Sequence, residues 1–248
     1  MRLLEKLYLG AFGLAVASAS AGLAAGLGTR WGVWHFKTGF LVLTGAAYGA
    51  LIAACLGLIA LFVNRSSRKA VLFAAASIVL SIFVAGIPWQ MKQRAQRVPM
   101  IHDITTDTEN PPPFVAILPL RRDASNPPAY GGEAVAAQQL KAYPDVRPLT
   151  LTVPPGVTFE KALRAARELG WDIVESRPDQ GRIEATDTTL WFGFKDDIVV
   201  RVTASDSGSR IDVRSVSRVG KSDIGTNAIR IRNYLSRMQG SPSSTTTQ

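Results

Sequence analysis

Three runs without a charged side chain dominate the first 98 residues: Leu7 to Leu27, Phe40 to Val63 and Ala70 to Trp89. At about 1.5 Å per residue, each is long enough to cross roughly 30 Å of hydrocarbon as a helix. Water-soluble domains seldom hold uncharged runs of this length, so three membrane spans are expected. Their connections are short, Gly28 to Gly39 and Asn64 to Lys69. Trp31, Trp34 and Phe36 in the first connection are aromatic anchors of the headgroup level. The third run ends in Trp89, followed by Lys92, Arg94 and Arg97. Gly22/Gly26 and Gly45/Gly49 each form a GxxxG pair, which lets helix backbones approach closely in lipid. No span carries an acid, Lys, Arg or His in its middle, the residues that line ion and proton pathways. The bundle therefore reads as an anchor, and Cys55 as a small apolar residue.

Charge supports this division. The chain of 248 residues is 47% hydrophobic, only 19% charged, and carries +9. Residues 1–98 hold ten Lys/Arg and one acid; residues 99–248 hold eighteen of each sign. The basic excess flanks the spans as membrane-adjacent charge and gives no reason to expect nucleic acid as a partner. The lipid bilayer is the expected partner of residues 1–98. With the amino terminus in the cytoplasm, five basic residues fall on each side, so the positive-inside rule does not choose. Residues 1–21 also read as a signal peptide, with Arg2, Lys6 and Ala17-Ser-Ala19. Cleaved or not, both topologies put residues 99–248 across the membrane from the cytoplasm. The expected location is the inner membrane, multi-pass, with a periplasmic domain.

One cysteine and two histidines (His35, His102) cannot build a zinc site or a disulfide framework. Asp103, Asp107 and Glu109 lack the spacing of a calcium loop. No metal is expected, and no residue pattern names a cofactor.

Residues 99–148 are rich in Pro and Gly and are expected to form an extended spacer, apart from a short strand at Phe114–Leu118 and a helix at Glu133–Lys141. From Leu149 the pattern is regular. Strands are expected at 149–153, 171–175, 181–187, 190–195, 198–204 and 210–219. Pro178-Asp-Gln-Gly181 and Asp206-Ser-Gly208 read as hairpin turns. A helix capped by Thr158 should run to Leu169, and a second from about Asp223, capped by Ser222 or Asp223, to Met238. Ile224, Ala228, Ile231, Leu235 and Met238 form the apolar stripe of the second, with Asn227, Arg230, Tyr234 and Arg237 as a polar stripe beside it. Tight turns make antiparallel neighbours, so both helices should cover one face of one sheet. The expected fold is α+β: three transmembrane helices at 1–98, the spacer, an α+β domain at 149–240 and a disordered tail at 241–248.

No Ser-His-Asp or Cys-His set is present in the soluble half. Gly220-Lys221-Ser222 lacks the upstream glycine of a phosphate-binding loop, whose place is taken by Ser215. Asp196-Asp197 is expected at a strand turn, where paired acids can do acid/base work but are more often solvated or paired with a nearby arginine. The most unusual segment is Asp212 to Asn227. A regular strand puts Arg210, Asp212, Arg214 and Arg218 on one face and Ile211, Val213, Ser215 and Ser217 on the other. Arg214 and Arg218 lie about 13 Å apart along such a strand, so each needs its own acid; Asp197, Asp212 and Asp223 are the candidates. Arg218 is expected to be structural and Arg214 free to bind. An ion-pair network and an anion-binding site both fit. The candidate binding residues are Asp197, Arg214, Ser215, Ser217, Arg218, Lys221, Ser222, Asn227 and Arg230.

The stretches GFKDDIVVRV (193–202) and IDVRSVSRVGKSDIGTNAIRI (211–231), with ITTDTENPPPF (104–114) and YPDVRPL (143–149), resemble the family catalogued as domain of unknown function 1499. The resemblance covers about residues 100–238. Its motif falls on Asp107, Pro112, Asp197, Arg214, Ser215, Ser217, Arg218, Gly220, Ser222, Asp223, Asn227 and Arg230, with Ile229 standing where many relatives are basic. It implies a bacterial or plastid origin and spans before the domain, and it implies no activity. The expected function is that of a membrane-anchored envelope protein binding a partner protein, lipid or anionic ligand. The alternative is an enzyme or cofactor-dependent domain acting on an anionic substrate, which requires Asp197, Arg214, Arg218 and Asn227 to converge on one cleft.

Overall fold

The computed structural model describes residues 6–240. The tail expected at 241–248 lies outside them. The described chain forms two compact units, one of residues up to Gln93 together with Thr189–Gly193, the other of Arg94–Thr188 and the residues from Phe194 on.

The first unit holds helices α1 (Leu7–Arg30), α2 (Phe36–Val63) and α3 (Arg68–Arg97, whose last turn belongs to the second unit), each long and apolar enough to cross a membrane. Apart from Leu43, their buried seam is made of small residues, among them Ala11, Ala15, Ser18 and Gly22 on α1, Ala46, Ala50, Ala53 and Gly57 on α2, and Ala70, Ala74, Ser77 and Ser81 on α3. Close backbone approach is what such residues permit in lipid. The GxxxG pairs are only half used. Gly22 and Gly49 sit against neighbouring helices, whereas nothing lies within 4 Å of a side chain built at Gly45. Gly26 instead makes room for the Trp191 ring. Leu190–Lys195, expected as a strand, is a turn up to Phe194. Trp191 donates to the Leu23 carbonyl at 3.3 Å, and Arg30 donates to the carbonyls of Thr189 and Leu190 at 2.8 and 2.9 Å.

The second unit is an antiparallel sheet of six strands: β1 (Asp103–Thr105), β2 (Leu149–Leu151), β3 (Asp172–Arg177), β4 (Arg182–Thr188), β5 (Lys195–Ser205) and β6 (Gly208–Ser217). The order is β1-β6-β5-β4-β3, and β2 also pairs with β6, end to end with β1. The two expected hairpin turns join β3 to β4 and β5 to β6. At Gly208 φ is +142° and a Cβ would run into the Leu151 carbonyl, so the second turn requires glycine.

Helices α5 (Pro155–Glu168) and α6 (Thr226–Gln239) cover one face of the sheet, and α4 (Glu133–Ala142) flanks the β1 edge. Phe159, Ala162, Leu163 and Ala166 of α5 meet Ala228, Ile231, Tyr234 and Met238 of α6 over Ile183, Ala185, Ile198, Val200, Ile211 and Val213. Each large side chain here stabilises the fold by roughly 1.5–3 kcal/mol. Three expectations change. Helix α5 begins at Pro155, whose fixed φ and missing N–H suit a first helical turn; Thr158 lies inside it, hydrogen-bonded to Ser209 at 2.7 Å. Helix α6 begins at Thr226, though the Asp223 carboxylate does take up its free amides, those of Gly225 and Asn227, at 2.7 and 2.9 Å. Tyr234, expected on a polar stripe, is fully buried, stacked on Trp171 at 4.9 Å and donating to the Ala162 carbonyl at 3.0 Å.

The largest correction concerns residues 99–148. Rather than a spacer, they supply edge strand β1, the core residues Ile101, Ile104, Tyr143 and Val146, and a strap over the second face of the sheet. Phe114–Leu118 is not a strand. Phe114 and Ile117 pack on Val199 and Val216, and a 3-10 turn follows at Leu118–Arg121.

Candidate functional site

Alternation along the strands sorts the signature residues onto opposite faces of the sheet. Asp197 and Arg214 point to the strap, as do Thr186, Glu184 and Asp212. Asp196, Ser215 and Ser217 point to the helices.

On the strap face, Asp197 is completely buried and takes four donors: Arg121 at 2.6 Å, the Thr186 hydroxyl at 2.8 Å, and Arg218 through two nitrogens at 2.9 and 2.8 Å. Arg214 pairs with Asp103 through two bonds of 3.0 and 2.8 Å and donates to the carbonyls of Pro112 and Pro128. Its guanidinium also lies over the rings of Phe114 and Tyr130, at 5.1 and 5.6 Å. Burial, with the Asp103 charge, pushes the Tyr130 phenol up to about 12. The separate acids expected for Arg214 and Arg218 are thus Asp103 and Asp197. Arg218 is tied to a buried acid as expected, but Arg214, expected to be free, is tied to one as well, and its side chain is 3% exposed against 16% for Arg218. Asp196 and Asp197, expected at a turn, lie inside β5 and are both buried.

Glu184 accepts from the amides of Val115, Ala116 and Ile117 at 2.9–3.1 Å, and so fixes the strap just before its 3-10 turn. Asn126 ties the strap's far end to the carbonyls of Ser217 and Gly220 at 3.0 and 2.8 Å. Asp107 and Asp212 share Arg201 and Arg210. In all, six arginines (121, 182, 201, 210, 214, 218) face six carboxylates (Asp103, Asp107, Glu175, Glu184, Asp197, Asp212).

On the helix face, Arg230 reaches Asp187 at 2.8 Å, Asp196 at 2.6 Å, the Ser215 hydroxyl at 3.1 Å and the Asn227 side-chain oxygen. Burial opposes its charge, but Asp196 and Asp187 outweigh that and hold its pKa above the ordinary value. Asn227 accepts from Ser215 at 2.7 Å and donates to Ser217 at 3.0 Å and to the His102 carbonyl at 3.1 Å. Burial, helped by the Asp196 charge, raises the pKa of Asp223 against the two amides it accepts from and against Arg230.

The two networks meet at the loop after β6. Ser222 donates to the Pro99 carbonyl and accepts from the Ile224 amide. Lys221 is exposed. Ile224 has φ of +52°, a conformation that a β-branched residue reaches only under strain of about 1–3 kcal/mol. The candidates therefore fall into three sets: Asp197, Arg214 and Arg218 under the strap; Ser215, Ser217, Asn227 and Arg230 under α6; Lys221 and Ser222 in the loop. Asn227 lies across the sheet from Asp197 and Arg214, so the convergence required by the enzymatic alternative does not occur. Adjacent Asp196 and Asp197 are separated in the same way. Among the described residues, no three His, Cys, Asp or Glu are grouped to hold a metal ion. Reading the residues missed Glu184 of β4, and also Asp103, Arg121, Asn126 and Gln139, which come from a segment whose Pro and Gly content signals loop and nothing about what the loop covers.

No curated protein and no solved structure matches the chain. A family match does extend over residues 103–238, from the first residue of β1 to the last turn of α6. It includes the strap as well as the sheet, which agrees with the ion pairs that join them. On this match, which spans more than half of its length, the chain belongs to the family described as protein of unknown function DUF1499.

Proposed function

We propose that this protein is a non-enzymatic binding module of a bacterial envelope, held in the inner membrane by its three spans, with its domain on the periplasmic side. The domain binds the anionic group of a partner protein, lipid or small ligand at the loop 218–225. The observation that carries this reading is the strained Ile224 beside the exposed Lys221. Backbone strain persists only where the surroundings over-determine it, and it concentrates at binding and switch segments. Here Asp223, Asn227 and Asn126 hold the loop on both sides. The buried members of the signature have their hydrogen-bonding groups engaged with one another, so they support the loop rather than contact the ligand. Arg218, which is partly exposed, and Lys221 are the cations left at its rim.

The test is a photo-cross-linking residue in place of Ser222, activated in intact membranes. A product with a protein or lipid, lost when Lys221→Glu is added, supports the reading; the same product with and without that change refutes it. A reporter active only outside the cytoplasm, fused after Gln248, should be active if the domain is periplasmic.

A further inference from the structure

The apolar bundle contains a groove that its packing does not fill. Its walls are one face of α2, Thr44, Ala47, Tyr48 and Leu51, and one face of α3, Ala85, Gly86, Pro88, Trp89 and Lys92. The spacing i, i+3, i+4, i+7 recurs on both helices (44, 47, 48, 51 and 85, 88, 89, 92), so each presents a continuous stripe. The helices touch where Ser77 donates to the Ala53 carbonyl at 3.2 Å and Gly57 meets Ile78. Toward Thr44 and Lys92 they leave a space of about 580 Å³, within the roughly 300–1,000 Å³ of small-molecule sites. From Ala85 to Lys92 it runs about 10 Å along the helix, a third of the hydrocarbon thickness.

We propose that this groove is a site for an anionic phospholipid, with an acyl chain between Ala47, Leu51 and Gly86 and its phosphate at Lys92. The wall is aliphatic and aromatic, as an acyl chain requires, and the one charged group on it is Lys92. No Asp or Glu occurs from Lys6 to His102, so the described residues of the unit offer that ammonium no carboxylate, and an anion from outside them is its natural counter-charge. Trp89 stands one turn from Lys92, more than 60% exposed, an amphipathic ring of the type that settles at headgroup depth. Zwitterionic lipid carries the same chains without the net charge, so Lys92 is what selects.

The full chain is reconstituted with equal amounts of phosphatidylglycerol and phosphatidylcholine, extracted gently, and its retained lipid counted by native mass spectrometry. One phosphatidylglycerol per chain is expected. Lys92→Gln should keep a lipid but lower the preference for phosphatidylglycerol about fivefold, the effect of one lysine at an anionic surface. Gly86→Leu should lose the lipid of either kind; nothing lies within 4 Å of a side chain begun at Gly86, so the added group enters the groove rather than the seam. Ala47→Leu fills it from the other wall and serves if Gly86→Leu does not fold. Arg97→Gln, at the end of α3 and outside the groove, should change nothing. An unchanged preference in Lys92→Gln, retention of the same lipid in both filled variants, or an equal fall with Arg97→Gln would each overturn the proposal, the last by showing diffuse surface attraction.

Discussion

The two faces of the sheet are covered by different means. The helix face is filled with aliphatic and aromatic side chains and becomes polar where β5 and β6 approach the start of α6 and, at the other end of β6, at the Thr158–Ser209 pair. The strap face carries a small apolar cluster, Phe114, Ile117, Val199 and Val216, among six arginines and six carboxylates. A helix satisfies its own backbone, so it needs only an apolar stripe to cover a sheet. An irregular strap leaves its amides and carbonyls open, and burial without partners costs about 1–3 kcal/mol for each. The sheet therefore meets the strap with charged side chains. Glu184 accepts three strap amides, while Arg121 and Arg214 reach the strap carbonyls of Asn126, Pro112 and Pro128.

The same contrast decides what could be read from the residues alone. The helix face follows period 2 in the strands and 3.6 in the helices, and those elements were legible to within a few residues. The strap face has its charges at inward positions, where alternation assigns them to solvent. Arg214 therefore read as available for binding and 99–148 as a spacer. The 190–195 stretch misled for another reason: Leu190–Phe194 is apolar enough for a strand, but Thr189–Gly193 belongs to the first unit, where Trp191 and Phe192 pack against Gly26 and Phe40. The signature from Asp212 to Asn227 was recognisable as a network because Arg, Ser and Asn recur at strand spacing, yet its division between two faces depended on partners far away in sequence.

The strongest test of the comparison is Arg214→Ala. Removing the guanidinium leaves Asp103, 4% exposed, without its counter-ion, and breaking a buried pair in this way costs about 3–5 kcal/mol. Replacing both partners, Asp103→Leu with Arg214→Met, should cost far less, because it also removes two desolvated charges. Urea unfolding of the full chain in detergent, read by hydrogen exchange at the β6 amides, compares them. A cost below about 1 kcal/mol for the single variant, as at a solvated pair, would mean that water enters the strap face.

Glu184→Gln should come next, at about 1–3 kcal/mol. One amide oxygen remains for Val115, Ala116 and Ile117, while the new NH2 group faces donors rather than acceptors. Exchange should quicken at those three amides before it does anywhere on the helix face. Uniform acceleration would show that the strap and the sheet unfold as one layer.

Asp223 sharpens the helix face through pH. Burial, then the Asp196 charge, raises its pKa above the ordinary 3.8, so ionisation is less favourable in the fold than in the unfolded chain. Its contribution is fully present below the unfolded value and is lost as pH rises through the raised one. The stability of the parent minus that of Asp223→Asn should therefore fall as pH is taken upward from 4, then level off. A difference that rises over that window would show that the helix-start amides and Arg230 outweigh burial.

The smallest effect is expected outside both layers, at Asp145 and Arg232. Arg232 of α6 reaches Asp145 through two bonds of 2.6 and 2.8 Å, but the carboxylate side chain is 56% exposed. An ion pair in such a place is worth about 0–1 kcal/mol. The hydrogen bond from Arg232 holds the Asp145 pKa below its ordinary 3.8, so whatever the pair contributes is present above that value and lost as pH falls through the lowered one, opposite in sign to Asp223. Arg232 has a second contact, over the Tyr143 ring at 5.4 Å, which adds about 0.5–1 kcal/mol at an exposed site. Asp145→Asn should therefore be nearly silent at pH 7, and Arg232→Ala should lower stability by about 0.5–1 kcal/mol more. A double variant should match Arg232→Ala alone if the ring, rather than the acid, is what the arginine holds. A loss of several kcal/mol from Asp145→Asn would place this surface pair in the same class as Asp103 and Arg214, and exposure would no longer separate the structural charges of this domain from its solvated ones.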